Sequence, residues 1–208
     1  MCEFLKRDGL SLDVLRALSY RSNLGLSLKR NIHHFSKAEL MREVELAGEW
    51  YDEQESLLDL PLDYRVKSLQ SASSKFDRYY PNKQARQVFD DLLGFRSLCD
   101  SYEEIVIPPG CDELRLADMS QGKKQDDGYR GVHVYYQRDN FHYPIEIQYN
   151  TYFDRQMNNW LHKYLYKKGY GCEVGQRLRA LYESGQIKNE SEFREVMAHV
   201  LRGGEGRQ

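Results

Sequence analysis

Residues 131–150 of this chain read GVHVYYQRDNFHYPIEIQYN. On both sides of residues 139–140 apolar and polar side chains alternate, which is the pattern of two half-buried strands joined by a short turn. If the turn has two residues, His133 lies directly opposite Glu146, and the valines and isoleucines point to the other face. The sequence therefore predicts a β-hairpin with one apolar face and one polar face.

The polar face of this hairpin carries three groups that can bind a ligand. Glu146 and His133 form one cross-strand pair, and Gln148 lies opposite Gly131, which leaves open space beside it. Carboxylates bind hard cations such as Mg²⁺, so this face suits a metal–phosphate site. A polar face that is only solvated is the alternative, and the hairpin pattern leaves both interpretations open.

Helices are predicted on both sides of the hairpin. Ser36 and Glu39 form a capping box that begins a helix with apolar residues at helical spacing. The other predicted helices cover 10–22, 68–79, 154–168, 175–184 and the residues after Asn189, and the other predicted strands cover 92–99 and 114–117. This order predicts an α+β fold, with a mixed sheet of about five strands flanked by helices.

The length and composition are typical of one domain with helical extensions. We expect an N-terminal helical region over 1–58, a core over 59–170 and C-terminal helices over 171–208. No apolar run approaches the roughly 18 residues that a membrane span needs, and the first residues do not resemble a signal peptide. The four cysteines lack metal-ligand spacing, so we expect free thiols in a reducing, cytoplasmic setting. They are Cys2, Cys99, Cys111 and Cys172.

The net charge of −2 hides an uneven distribution along the chain. Basic residues are in excess over 1–36 and over 61–96, whereas acidic residues dominate 37–60. A chain without an overall basic excess is not a general nucleic-acid coat, but it can hold polyphosphate or an RNA end in a local basic pocket. Lys29 and Arg30 are candidates for such a pocket, and an ordinary surface is the alternative.

A second basic segment precedes the predicted strand over 92–99. It contains Arg65, Lys67, Lys75 and Arg78. On the predicted helix, Ser71 and the last two cations lie along one face. Because each phosphate oxygen favours a charge-assisted donor, such a face can hold a triphosphate. A solvated basic helix face is the alternative.

Two further motifs add an acid and an aromatic ring. The run DLLGFR places Asp91 at the start of a strand and Arg96 near its middle, with a glycine between them. The run GYRG places Tyr129 at the junction of a loop and a strand. An exposed ring at that position can stack on a nucleobase, although single aromatic residues more often serve packing.

Taken in order, these segments resemble the synthetase domain of RelA/SpoT-type alarmone synthetases. The resemblance covers about residues 60–168 and rests on the basic segment from Arg65, the DLLGFR and GYRGVH runs and the IEIQ strand. Thr151, His162 and the run YKK after that histidine keep the family's spacing. The resemblance implies a nucleotidyltransferase-like fold with a five-stranded mixed sheet. It also implies an ATP-dependent pyrophosphokinase, a transferase that moves the β,γ-pyrophosphate of ATP to a ribose 3′-hydroxyl, as in the stringent response.

The resemblance also assigns roles to individual residues. Asp91 and Glu146 would hold Mg²⁺, Glu146 would help to deprotonate the acceptor, and Arg96 would neutralise charge on the transferred group. The residues that would bind ATP are Arg65, Lys67, Ser71, Lys75 and Arg78. The residues that would bind the acceptor are Tyr129, which would stack on the base, and His133, Gln148 and Asn150.

Two positions depart from family enzymes that act on GDP or GTP. Gln125 replaces a basic residue four positions before the stacking tyrosine, and Asn150 replaces an arginine. The acceptor pocket therefore looks poor in positive charge, unless Lys123 and Lys124 fold back towards it. Lys29 and Arg30 in the N-terminal segment could instead bind backbone phosphates. In this combination the chain resembles the toxic subclass of small alarmone synthetases, whose acceptor is the 3′ end of tRNA.

The sequence is compatible with three functions. The first is a tRNA pyrophosphokinase, the toxin of a toxin–antitoxin pair, whose partner would be an antitoxin protein. The second is an alarmone synthetase that acts on GDP, GTP or an adenine nucleotide. The third is a catalytically dead module that binds nucleotides or RNA, and the presence of Asp91, Glu146 and Tyr129 argues against it.

Overall fold

In the computed structural model, which describes residues 3–204, the polar hairpin lies inside a five-stranded sheet. The strands are β1 Asp63–Val66, β2 Leu93–Leu98, β3 Leu114–Asp118, β4 Val132–Tyr136 and β5 Ile145–Asn150, and their order across the sheet is β1-β2-β5-β4-β3. The helices are α1 Glu3–Arg7, α2 Leu12–Ala17, α3 Lys37–Asp52, α4 Leu69–Tyr79, α5 Ala85–Val88, α6 Tyr152–Tyr164, α7 Cys172–Glu183 and α8 Glu190–Gly204. The predicted α+β class is confirmed.

The sheet is mixed. Strands β1 and β2 are antiparallel, with Arg65 opposite Gly94. The Cys99 N–H donates to the Asn150 carbonyl at 3.0 Å, so the C-terminal ends of β2 and β5 lie side by side and these two strands are parallel. Their N-terminal ends, just after Asp91 and just before Glu146, therefore share one edge of the sheet.

The chain forms two compact units. The first comprises residues 1–97, 103–117 and 133–148 and holds most of the sheet, and the second comprises residues 98–102, 118–132 and 149–208. The first unit has a buried core under the sheet that includes Phe95, Val134 and Ile147. The second unit has its own core, formed by α6, α7 and α8, with Trp160, Leu178 and Phe193 among its buried residues.

Several predicted helices are confirmed together with their caps. Ser36 and Glu39 form the predicted capping box of α3. The hydroxyl of Ser68 accepts from the backbone N–H of Ser71 and begins α4. The side chain of Asn189 accepts from the N–H of Glu192 at the start of α8. These ends could be predicted because the donor and acceptor of a helix cap lie within four residues of each other.

Two local predictions were wrong for one common reason. The helix predicted over 10–22 ends at Ala17, and an eight-residue connection, 137–144, replaces the two-residue turn at Asp139–Asn140. Arg21 and His142 form an antiparallel bridge, and the Tyr143 N–H donates to the Tyr20 carbonyl. Because the segments around Arg21 and His142 pair with each other, the chain after α2 stays extended and residues 142–144 do not lengthen β5.

Two further predictions concern the cysteines and membrane-spanning segments. Cys99, Cys111 and Cys172 are present as thiols, whereas Cys2 lies outside the described residues. Within residues 3–204, none of the helices has the length and hydropathy that crossing a membrane requires.

Candidate active site

Glu146 is the centre of the polar face in the first unit. Its Oε1 lies 2.9 Å from Nδ1 of His133, which confirms that the predicted cross-strand pair is in contact. The Tyr135 hydroxyl donates to the same oxygen at 3.0 Å, and Nε2 of Gln148 donates to Oε2 at 2.7 Å. The carboxylate is therefore held by three side chains of β4 and β5.

These contacts keep Glu146 ionised. Burial alone would raise the pKa of Glu146, but the hydrogen bond with His133 and the bonds from the other two donors outweigh burial. They lower this pKa from 4.5 to about 2. At neutral pH the Glu146 carboxylate is therefore negatively charged, as a ligand of Mg²⁺ must be.

Asp91 is the second carboxylate and is surrounded by cations. Its carboxylate forms a close ion pair with Lys67, lies 3.2 Å from Nζ of Lys75 and lies 3.7 Å from NH2 of Arg65. The neighbouring Asp90 accepts from Lys75 at 2.7 Å. Three of the five residues predicted to bind ATP thus converge on one acid.

The two carboxylates lie on the same face of the sheet. A Cβ built on Gly94 would lie 3.6 Å from Oε2 of Glu146, so Gly94 presents its open side to that carboxylate. Arg65 is paired with Gly94 across β1 and β2, so both point to the same face, and Arg65 reaches Asp91. The glycine of the DLLGFR run therefore leaves room beside Glu146.

A third carboxylate adds to the negative potential at this edge. Burial raises the pKa of Asp90 most, and Asp91 and Glu146 raise it further, while Lys75 acts in the opposite direction. Burial lowers the pKa of Lys75, but the charges and hydrogen bonds of the two aspartates together outweigh burial and raise it. Added positive charge would relieve the repulsion among these acids.

The donor set fits Mg²⁺ bound together with a substrate. Within residues 3–204 there is no cluster of three or more histidines, cysteines or acids that could hold a metal by itself. Mg²⁺ commonly takes one or two carboxylates and completes its six positions with water and phosphate oxygens. Asp91 and Glu146, with the open space at Gly94, match that requirement.

The remaining predicted residues of the first unit lie around this centre. Arg96 is exposed on β2, two residues beyond Gly94 and therefore on the same face, opposite Asp63 of β1. Ser71 accepts from the Ser68 hydroxyl at 2.9 Å in the first turn of α4. Arg78 is exposed in the last turn of that helix, whereas Lys75 points to the aspartates.

Tyr135 was not predicted as a site residue. It lies two positions after His133, so the alternation of the strand places both on the polar face and could have identified it. Burial raises the pKa of the Tyr135 phenol, and the charge of Glu146 raises it further, so the hydroxyl stays a donor. The guanidinium of Arg115 lies 4.1 Å from the centre of its ring.

A cavity of about 730 Å³ borders this site in the first unit, and both Asp90 and Tyr135 line it. The lining has five basic and four acidic residues, and two of the acids, Asp90 and Glu113, pair with cations outside the lining, so the basic residues are in excess. Its five basic lining residues are Lys29, Lys83, Arg86, Arg115 and Arg138. Arg30 is exposed and does not line it.

Tyr129 and Asn150, the other predicted acceptor residues, belong to the second unit. Tyr129 is half-buried, and Nζ of Lys123 lies 4.8 Å from the centre of its ring. Asn150 is fully buried and donates to the carbonyl of Arg130 at 2.8 Å. The loop thus folds Lys123 back over Tyr129, which is one of the two loop arrangements that the sequence allows.

The fold resembles those of several solved structures, although no protein-family model and no curated protein matches the sequence. The chain is similar to the solved structure of small alarmone synthetase 2 from Bacillus subtilis, with a TM-score of 0.44 and 19% identity over 82% of this chain and 98% of that chain.

Two further structures are similar at the same level. Small alarmone synthetase 1 from Bacillus subtilis, bound to its product pppGpp, has a TM-score of 0.41 and 20% identity over 80% of this chain and 89% of that chain. A GTP pyrophosphokinase family protein from Streptococcus pneumoniae has a TM-score of 0.39 and 19% identity over 80% and 87%. What this site can do follows from its own residues.

Proposed function

We propose that the protein is a pyrophosphokinase that moves the β,γ-pyrophosphate of ATP to a ribose 3′-hydroxyl. The observation that carries this proposal is the convergence of Lys67 and Lys75 on Asp91, on the sheet face that also presents Glu146. Phosphoryl transfer needs positioned reactants and neutralised charge more than covalent chemistry from the protein. Cations and carboxylates at one edge of a sheet provide both.

The reaction divides these residues by role. The acceptor oxygen bonds to the β-phosphorus of ATP, the bond from that phosphorus to its α–β bridging oxygen breaks, AMP leaves and the hydroxyl proton passes to solvent. Arg65, Lys67 and Lys75 would exchange part of their contact with Asp91 for phosphate oxygens. Asp91 and Glu146 would hold Mg²⁺, which when bound supplies positive charge to the phosphates.

For the acceptor we propose the 3′-terminal adenosine of tRNA. Amino acids are attached at this end of tRNA, so pyrophosphate there blocks translation and makes the protein a toxin that requires an antitoxin partner. The basic cavity beside the site supports this choice, since Lys29 and the four other cations match the backbone phosphates of an RNA strand. Arg30, exposed next to Lys29, would reach phosphates outside the cavity.

A nucleotide acceptor is the second candidate, and one observation favours it. Lys123 lies over the ring of Tyr129, so the loop brings a cation to the proposed base-stacking position, where it could meet the 5′-phosphates of GDP or GTP. That cation is shared, because Asp127 accepts from Lys123 at 2.7 Å. The protein would then be an alarmone synthetase with the same chemistry.

One experiment separates these candidates. The protein is incubated with Mg²⁺ and γ-labelled ATP plus deacylated tRNA, or plus GDP, GTP or an adenine nucleotide, and the labelled product is identified. Labelled tRNA supports the first candidate, and a labelled nucleotide supports the second. Absence of label on every acceptor, with a folded protein, would refute the proposed reaction.

Removal of Lys67 should weaken the use of ATP. Lys67→Gln takes away the cation nearest to Asp91, so we expect the KM for ATP to rise by about tenfold or more, with a smaller change for the acceptor. Arg78→Gln should act in the same direction. Steady-state kinetics measure both values, and Lys6→Gln at an exposed lysine serves as the control. Equal changes for ATP and acceptor would contradict the assignment.

Removal of the Tyr129 ring should weaken acceptor binding. Tyr129→Ala should cost about 1–3 kcal/mol of acceptor binding, whereas Tyr129→Phe keeps the stacking surface and most of the affinity. Binding of unlabelled acceptor can be measured by titration without ATP. Tyr170→Ala, at an exposed tyrosine of the same unit, is the control. A loss as large for Phe as for Ala would show that stacking is not the role of the ring.

A further inference from the structure

The loop over residues 126–131 carries Tyr129 and is held by side chains of α6 and α7 within the second unit. We propose that Arg179 of α7 is a positioning residue for acceptor binding, which it supports by fixing the backbone on both sides of Tyr129. This inference rests on the proposed function, in which Tyr129 stacks on the acceptor base. Arg179 itself has no contact with the acceptor in this proposal.

Arg179 is buried and directs its guanidinium towards the loop. Its side chain is 1% exposed, and its Nε donates to the Gly128 carbonyl at 2.7 Å. The same guanidinium donates to Asp154 at 2.7 Å and to the side-chain oxygen of Asn158 at 3.0 Å. A buried arginine needs such partners, because an unpaired charge in the interior is strongly destabilising.

Asn158 carries the effect of Arg179 to the other side of Tyr129. Its side-chain oxygen accepts from the Arg130 N–H at 3.3 Å, and its amide donates to the Arg130 carbonyl at 2.7 Å. Asn150 donates to the same carbonyl at 2.8 Å. The residues directly before and after Tyr129 are therefore both tied to the group around Arg179.

Direct packing sets the distance between the loop and α7. Gly128 has a φ of +86°, and a Cβ built there would lie 2.4 Å from the Gly175 carbonyl oxygen. A Cβ built on Gly175 would lie 2.0 Å from the Asp127 carbonyl oxygen. Gly175 and Arg179 are one helical turn apart, so one face of α7 both packs against the backbone of the loop and donates a hydrogen bond to it.

The charged side chains of the loop are also paired within it. Arg130 donates to both oxygens of Asp126, at 2.8 and 3.0 Å. The side chain of Asp127 accepts from the Tyr129 N–H at 3.2 Å. The acidic run before Tyr129 thus shapes the loop, and Arg179 holds the shaped loop in place.

The test is Arg179→Lys, with Arg177→Lys at an exposed arginine of the same helix as the matched control. Lysine keeps the positive charge beside Asp154 but cannot donate to three groups in a fixed fork. We expect the KM for the acceptor to rise at least about tenfold, while the KM for ATP changes by less than about twofold. The control should match the wild type.

A double-mutant cycle shows whether Arg179 acts through the ring. In a Tyr129→Ala background, Arg179→Lys should raise the acceptor KM by less than about threefold, because the positioned group is already missing. Independent, additive effects would overturn the proposal. A wild-type-like acceptor KM for Arg179→Lys would overturn it as well.

Amide hydrogen exchange gives a readout that does not need activity. Arg179→Lys should speed exchange in residues 128–131 and leave β4 unchanged, and equal protection in variant and wild type would overturn the proposal. If the wild type transfers no pyrophosphate, the proposed function fails, and exchange still reports whether Arg179 holds the loop. If Arg179→Lys does not fold, Asn158→Ala replaces it, since that change leaves no buried charge unpaired.

Discussion

Asp91→Asn and Glu146→Gln should each reduce pyrophosphate transfer by more than about 100-fold, because each removes one of the two carboxylates that would hold Mg²⁺. Both changes keep the shape of the side chain, so the sheet should fold as before. The measurement is transfer of label from γ-labelled ATP at saturating ATP and acceptor, with circular dichroism to show that each variant is folded.

Asp59→Asn removes an exposed carboxylate of the first unit and provides the matched control. It should leave transfer unchanged. Raised Mg²⁺ should recover part of the activity of the two site variants, since weakened metal binding can be offset by concentration. Transfer by Asp91→Asn or Glu146→Gln within about tenfold of the wild type would contradict the assignment of these residues as metal ligands.

Lys29→Glu together with Arg30→Glu should abolish labelling of tRNA. The two changes replace cations that would hold backbone phosphates with groups that repel them. Because this contribution is electrostatic, the difference between variant and wild type should shrink as salt rises. With GDP or GTP as acceptor the same double change should have almost no effect, since these acceptors have no nucleic-acid backbone.

The single variants sharpen this test. Lys29 lines the basic cavity and Arg30 does not, so Lys29→Glu should account for most of the loss. The control is Lys37→Glu with Arg42→Glu, an equal charge reversal at exposed positions of α3. Unchanged labelling of tRNA by the Lys29→Glu, Arg30→Glu variant would exclude this patch as the RNA-binding surface.

The polar face of the hairpin could be predicted because strand alternation is a local property. Counting by two residues placed His133 beside Glu146, and the structure gives 2.9 Å between them. The same count would have found Tyr135. The turn length could not be predicted this way, because it depends on Arg21, a residue more than 100 positions upstream that pairs with His142.

Two other features lacked a local signal. Strand β1 is largely exposed at the sheet edge, so its residues show no apolar alternation. Arg179 in the sequence looks like the surface arginine Arg177, and only the packing of α7 shows that one is buried and the other exposed. The convergence of Lys29 with Arg115 and Arg138 on one cavity likewise joins segments far apart in the chain.

The strand order has a consequence for when the protein can become active during its own synthesis. The last strand to be made, β5, occupies the middle of the sheet, between β2 and β4. A growing chain that has not reached Glu146 lacks both a proposed metal ligand and the strand that joins the two halves of the sheet. Such a central, late strand makes sheet completion depend on contacts distant in sequence. The proposed activity would then arise only after the ribosome has made most of the chain.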